Sequence, residues 1–240
     1  MPRTGAVQVA VLGARPRIAA RILSTQRAAL IGYWPLWENE GAVADNLEGT
    51  AARDGAATVN WGSVGVGDGH GAAGWATGKV VDIYTASLSG VFDRAEASIA
   101  LWMQCAVWST TRRHLINVGK DNNNFVRIDK NTTAGQVEFE HKGGGTSVKV
   151  TLTGESDLGW LHLGMTWSEG ADYVKAYRSG VLVDTATGLG TFAAAVAADR
   201  ACIGAQVNDG TANWRGVIAH VAVWAGVQLS AREFRRLARR

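Results

Sequence analysis

Cysteine is scarce: Cys105 and Cys202 are the only two in 240 residues, and each sits inside an apolar run. A disulfide-stapled scaffold is excluded, two buried thiols are expected, and a single bridge between them is the alternative. There are three prolines, and charged residues make up 19 % against 47 % hydrophobic, which excludes a disordered or low-complexity chain. No apolar run approaches the roughly 18 residues that a membrane-crossing helix needs. The apolar stretch AVQVAVLGA is short, carries Gln8 and leads straight into RPRIAAR, which argues against an export signal.

Acid is missing from the first 30 residues, which hold Arg3, Arg15, Arg17, Arg21 and Arg27. The last eleven hold Arg232, Arg235, Arg236, Arg239 and Arg240 against Glu233. With a net charge of +3 overall, the body between these ends carries −6. The ends are therefore arginine-rich appendages on a mildly acidic domain.

Glycine and tryptophan are plentiful, 30 and 10 respectively. Spread along short apolar runs, they fit a sheet protein, with aromatics on pleated faces and glycine in turns. After Leu30 such runs are separated by Gly, Asn, Asp and Ser clusters, among them ASIALWMQCAVW, NFVRID, QVEFEHK, SVKVTL, GWLHLGMTWS and WRGVIAHVAVW. Residues 97–108 and 214–224 are apolar on both alternating sets and predict central strands covered on both faces. KGGGT at 142–146, Ser179-Gly180 and NDG at 208–210 predict hairpin turns.

Two short helices flank this pattern. Pro16 stands at a first helical position, with Ile18 and Ile22 on one face and Arg17 and Arg21 elsewhere. At the other end Ser230 and Glu233 have the spacing of a capping box, and Phe234 and Leu237 anchor the helix that follows. The expected organisation is an arm and amphipathic helix over 1–30, and a sandwich with its C-terminal helix over 31–240.

The order of motifs resembles the laminin-G-like jelly rolls of the concanavalin A-like lectin and glucanase superfamily. GYWPLWENEG at 32–41 is similar to their opening segment, GWLHLGMTWSEGADYVKAYRSGVLV at 159–183 to a characteristic strand pair, and CIGAQV through SAREFRRL to their closing segment. The resemblance implies an all-β, two-sheet antiparallel sandwich. Its variant with a short helix before GYWPL, and with VGDGHGAAGWATGKVVDIYTASLSGVF ahead of the first long strand, resembles proteins of tailed-bacteriophage virions. That implies a non-enzymatic structural protein of a phage particle, on the capsid or tail, assembled as a homo-oligomer with other virion proteins as partners. The alternative is a glycan-binding module for adsorption to a host surface.

Two departures from the family bear on chemistry. Ala219 and His220 stand where the family has an acidic pair, so no metal site of that kind is expected. The nearest approach to the glucanase acidic triplet is Glu138 and Glu140, with Gln136 before them and Lys142 after, which reads as a solvated acidic edge rather than a hydrolytic pair. Calcium donors would be Asp121, Asn123 and Asp209, residue types that turns also use. The five histidines show no metal spacing, and the sequon at Asn131 lacks an export signal.

Trp34, Trp102, Trp160, Trp167 and Trp224 lie in strand runs and belong to the core. Trp37, Trp61, Trp75, Trp108 and Trp214 lie near turns and are the glycan-stacking candidates. Arg15 of the arm and the helical residues Arg17, Ile18, Arg21, Ile22, Arg235, Arg236 and Arg239 suit a partner protein with a mixed apolar and acidic surface better than nucleic acid.

Overall fold

The computed structural model describes residues 17–240. Its elements are α1 (Arg17–Ser24), β1 (Leu30–Trp34), β2 (Val43–Ala44), a 3₁₀ turn (Ala51–Arg53), β3 (Gly55–Ala57), β4 (Asn60–Ser63), β5 (Ala72–Trp75) and β6 (Val81–Asp82). Then come α2 (Ala86–Val91), β7 (Glu96–Cys105), β8 (Arg113–Asp121), β9 (Asn124–Lys130), β10 (Val137–Gly143) and β11 (Thr146–Leu152). The chain closes with β12 (Trp160–Ser168), β13 (Tyr173–Arg178), β14 (Val181–Ala186), β15 (Ala201–Ile203), β16 (Gly216–Ala225) and α3 (Ala231–Leu237).

Two antiparallel sheets face each other. One runs β14-β13-β12-β7-β16-β5-β4, with β1 also paired to β16; the other runs β11-β10-β9-β8-β15-β6-β3-β2. β7 and β16 are central, as their two-sided apolar pattern predicts. Phe139, Ile128, Val126, Leu163, Met165, Trp167 and Ile218 fill the space between the sheets. The sandwich is a jelly roll with few helices.

A bulge in β16 explains how one strand edge takes two neighbours. The register against β7 shifts between Ala219 and Ala222, and His220 between them has a φ of 53°. Before the bulge β16 pairs with β5, and after it with β1.

KGGGT closes the β10–β11 hairpin and Ser179-Gly180 closes β13–β14. NDG at 208–210 does not close a hairpin: β15 pairs with β6 and β8, whereas β16 lies in the opposite sheet, so the segment is a crossover between layers. The short strands β2 to β5 and the helix α2, capped by Thr85 Oγ1 on the Leu88 amide at 3.0 Å, carry no pattern long enough to be read beforehand. Cys105 and Cys202 are both free and buried.

The helix expected to reach for a partner turns inward instead. Ile18 and Ile22 are 0 % and 2 % exposed, packed with Tyr33, Ala219, Ala222 and Trp224 on the outer face of the first sheet. The reason is that apolar outer face, which would otherwise be wet. α3 shares the task. Ser230 Oγ accepts from the Glu233 amide while Glu233 accepts from the Ser230 amide at 2.7 Å, and Phe234 and Leu237 are buried. Gly164 on β12 makes room, since a Cβ there would lie 2.4 Å from the Phe234 ring. Gly180, at a φ of 77°, similarly admits the α3 backbone at Arg235. Arg15 and Pro16 lie outside the described residues.

Candidate functional site

Among the described residues no helix lies over the outer face of the second sheet, and period-two alternation decides what it shows. On β9 and β10, Val126, Ile128, Val137 and Phe139 point into the core, so Arg127, Asp129, Glu138 and Glu140 point out. The hairpin registers set them side by side: Asp129 faces Glu138, Arg127 faces Glu140, and Lys149 of β11 faces Glu140 from the other side. The same row continues through Asn117, Cys202 and Asp82 across the sheet.

These groups form a lattice of three carboxylates and three cations. Arg112 holds Asp129 Oδ2 at 2.6 Å and Glu138 Oε2 at 2.9 Å. Arg127 holds Asp129 Oδ2 at 3.0 Å and Glu140 Oε2 at 2.5 Å, and Lys149 lies 3.3 Å from Glu138 Oε2. Asn131 Nδ2 donates to Glu138 Oε1 at 2.9 Å and Ser147 Oγ to Glu140 Oε1 at 2.6 Å. Glu138 and Glu140 are 6 % and 3 % exposed, which corrects the expectation of a solvated acidic edge: cross-strand guanidiniums make their burial affordable. Asp129 is a third acid, supplied by the neighbouring strand.

Burial pushes the Asp129 carboxyl up to about 6, against the lowering pull of Arg127 and Arg112. Beside it, burial and then the charges of Arg127 and Arg112 push His114 down to about 3. Asp129 Oδ1 and His114 Nδ1 are buried without hydrogen-bond partners. The three carboxylates lie close enough together to form a metal-like cluster, but the cations already bond Asp129 Oδ2, Glu138 Oε2 and Glu140 Oε2. The arrangement therefore offers fixed donors and acceptors in alternation rather than an ion cage or a free acid–base pair.

The calcium donors read from the sequence are turn makers. Asp121 Oδ1 accepts from the Asn123 amide at 2.8 Å and from Asn124 Nδ2 at 3.1 Å, and Asp209 Oδ1 from the Thr211 amide at 2.7 Å. Asn131, the sequon residue, is engaged with Arg112, Gln136 and Glu138.

The five stacking candidates divide. Trp75 and Trp214 are 5 % and 0 % exposed in the core, a correction to their placing near open turns: the short strand β5 and the returning crossover carry them under the sheets. Trp37 is half-buried, with its ring 4.3 Å from that of His70 and edge-on to His220. Trp61 is half-buried with Nε1 donating to the Gly41 carbonyl. Trp108 is half-buried and pinned by Nε1 to the Asp157 carbonyl at 3.0 Å, next to exposed Val107 and on the loop that leads to Arg112. The ring that borders the lattice itself is buried Phe125, with the Arg127 guanidinium 4.4 Å from its ring centre.

His220 lies in a second, enclosed cluster. Its Nδ1 is 2.8 Å from Tyr33 Oη and its Nε2 2.8 Å from Asp68 Oδ2, with all three side chains almost fully buried. This joins the 64–70 loop to the β16 bulge and takes the place of the family's acidic pair.

A two-sheet jelly roll with one face roofed by helices and the other carrying an ordered polar lattice is a lectin-type β-sandwich. A laminin-G family model, described as the concanavalin A-like lectin/glucanases superfamily, matches residues 77–233, and the chain belongs to that superfamily. No curated protein matches it by sequence. Among solved structures it is similar to domain 4 of AbnA, a GH43 extracellular arabinanase from Geobacillus stearothermophilus, in complex with arabinotriose, at 18 % identity and a TM-score of 0.60, covering 88 % of this chain and 98 % of that one. It is similar to the CBM40 of Ruminococcus gnavus IT-sialidase bound to alpha2,3 sialyllactose, at 16 % identity and a TM-score of 0.56, covering 69 % and 95 %. The binding domain of botulinum neurotoxin DC, in complex with rat synaptotagmin II, gives 14 % identity and a TM-score of 0.60, covering 89 % of this chain and 52 % of that one.

Proposed function

We propose that this protein is a non-catalytic glycan-binding module whose ligand lies on the outer face of the second sheet and is flanked by Trp108. The observation that carries this reading is the lattice of Asp129, Glu138 and Glu140 with Arg112, Arg127 and Lys149. Its charges cancel, its groups are held rigid by mutual bonds, and the members that reach the surface, Arg112, Lys149 and Ser147, offer hydrogen bonds to a hydroxyl-bearing ligand. The pinned indole supplies a ring for a pyranose face. Two of the similar folds are solved with an oligosaccharide bound, which supports the reading. Binding is favoured over cleavage because the carboxylates are committed to guanidiniums and an ammonium.

A broad panel of immobilised oligosaccharides, probed with and without Ca²⁺, tests this. Selective capture that Lys149→Ala weakens supports it, and capture of nothing on the panel removes it. Lys149 is exposed, so its replacement leaves the core intact.

The setting we infer is a phage particle, where such a module would serve adsorption to a host surface as one of several copies. The support is the resemblance of the opening segment and of residues 66–92 to tailed-phage virion proteins. Quantitative mass spectrometry of purified particles tests it: hundreds of copies would mean capsid decoration, a handful a tail or fibre part, and absence would refute it.

A further inference from the structure

α1 and α3 lie together over the outer face of the first sheet, and their apolar faces are fully used there. Ile18, Ile22, Phe234 and Leu237 are each at most 2 % exposed. What remains outward is guanidinium: Arg17 and Arg21 one turn apart on α1, and Arg232, Arg235, Arg236 and Arg239 on and just beyond α3. Arg21 donates to the Arg239 carbonyl and Arg236 to Ser24 Oγ at 2.7 Å, so the two sets form one surface. Ser230, Glu233 and the four arginines of the α3 set line a concavity of about 800 Å³.

Among the described residues no ion pair neutralises this surface. Among the described residues, none of the six arginines has a carboxylate within 4.0 Å. Glu233, the acid in their midst, is committed to its helix cap and to Gln26 Nε2 at 2.7 Å. Residues 1–16 contain no Asp or Glu, so they have no side-chain carboxylate to offer. Arg21 Nε is buried without an acceptor. Burial, then Arg236, Arg239 and Arg17, lower the Arg21 pKa, the mark of crowded like charge.

We propose that this arginine surface is a docking site for a carboxylate-rich segment of a partner protein. The planar guanidinium fork matches a carboxylate with two parallel bonds, and arginines at i and i+4 present such forks in a column. With the apolar residues turned inward, the partner is acidic rather than amphipathic. Duplex nucleic acid fits poorly, because the body around the patch carries −6 and repels a long polyanion. A bilayer fits poorly because the apolar side chains of both helices are turned inward, leaving none to insert. The site lies on the opposite side of the sandwich from the polar lattice, so both faces are free to be occupied together, and neither proposal depends on the other.

The test measures fluorescence anisotropy of a short labelled oligoglutamate peptide with the full chain at low and high salt, with a DNA duplex and phosphatidylglycerol vesicles as competing probes. The expected result is peptide binding that weakens with salt and falls about tenfold or more in the double variant Arg236→Ala/Arg239→Ala, while Lys149→Ala leaves it unchanged. If that variant fails to fold, Arg236→Lys/Arg239→Lys keeps the charge and removes the fork, and a several-fold loss is expected. The proposal is overturned by no peptide binding at low salt, by binding indifferent to both double variants, or by tighter binding of the duplex or the vesicles.

Discussion

Arg127 and Glu140 face each other across the β9–β10 hairpin, joined by two bonds of 2.5 and 2.9 Å, with neither side chain more than 12 % exposed. The same guanidinium also holds Asp129 at 3.0 Å, so one cation compensates two buried acids.

Arg127→Ala therefore leaves Glu140 without a guanidinium and Asp129 with Arg112 alone. The expected loss is about 3–5 kcal/mol of stability at neutral pH, the usual cost of breaking one side of a buried pair. Urea denaturation measures it, and a loss under about 1 kcal/mol would mean that the lattice is effectively solvated.

Acid should destabilise the protein through its buried imidazoles. Burial holds His114, His141 and His162 at about 3, 4 and 3. Their folded values lie below the ordinary one, so their stabilisation is full above about pH 6.5 and is lost as pH falls, by up to about 1.4 kcal/mol per pH unit for each. Asp129, raised to about 6, works the other way: its stabilisation is present below about pH 4 and is lost as pH rises to 6, which offsets roughly one of the three. Denaturation curves from pH 7 to pH 4 should show a net decline that His162→Gln makes shallower by one proton's worth. An unchanged slope would contradict it.

The α3 anchor is tested by filling its seat. Phe234→Ala should cost about 3–5 kcal/mol, as large-to-small changes in a core do. Gly164→Ala places a methyl against the same ring and should destabilise by about 1–3 kcal/mol through overpacking. Together the two should cost less than their sum, because they share one contact.

Cys105 and Cys202 should stay unmodified by a thiol reagent in the native state and react fully in denaturant. Burial raises both thiols above their ordinary pKa, which also slows attack. Fast native labelling of either would contradict their enclosure.

Much of the fold was legible because its signals are local and strong. β7 and β16 announced themselves by two-sided apolar runs, β12 to β14 by a hairpin pair, and α3 by its cap. β2 to β5 were not legible, since strands of two to four residues such as Gly55–Ala57 owe their existence to neighbours rather than to pattern. The same limit applied to the site. Glu138 and Glu140 could be seen on one face, but Arg127 and Asp129 alternate on the preceding strand in the same way, and aligning the two through the β9–β10 hairpin would have paired them. Arg112 was beyond reach, because it arrives from a loop. Ile18 and Ile22 misled because an amphipathic helix looks alike whether it covers its own sheet or a partner's.

The central claim is that the polar lattice and Trp108 bind a glycan. Isothermal titration of the best ligand from an oligosaccharide panel against wild type, Trp108→Ala, Lys149→Ala and Arg236→Ala/Arg239→Ala tests it directly. The account predicts about a tenfold or greater loss for the first, several-fold for the second and none for the last, which lies on the opposite face. Undiminished affinity in both Trp108→Ala and Lys149→Ala, or a loss confined to the arginine variant, would contradict it.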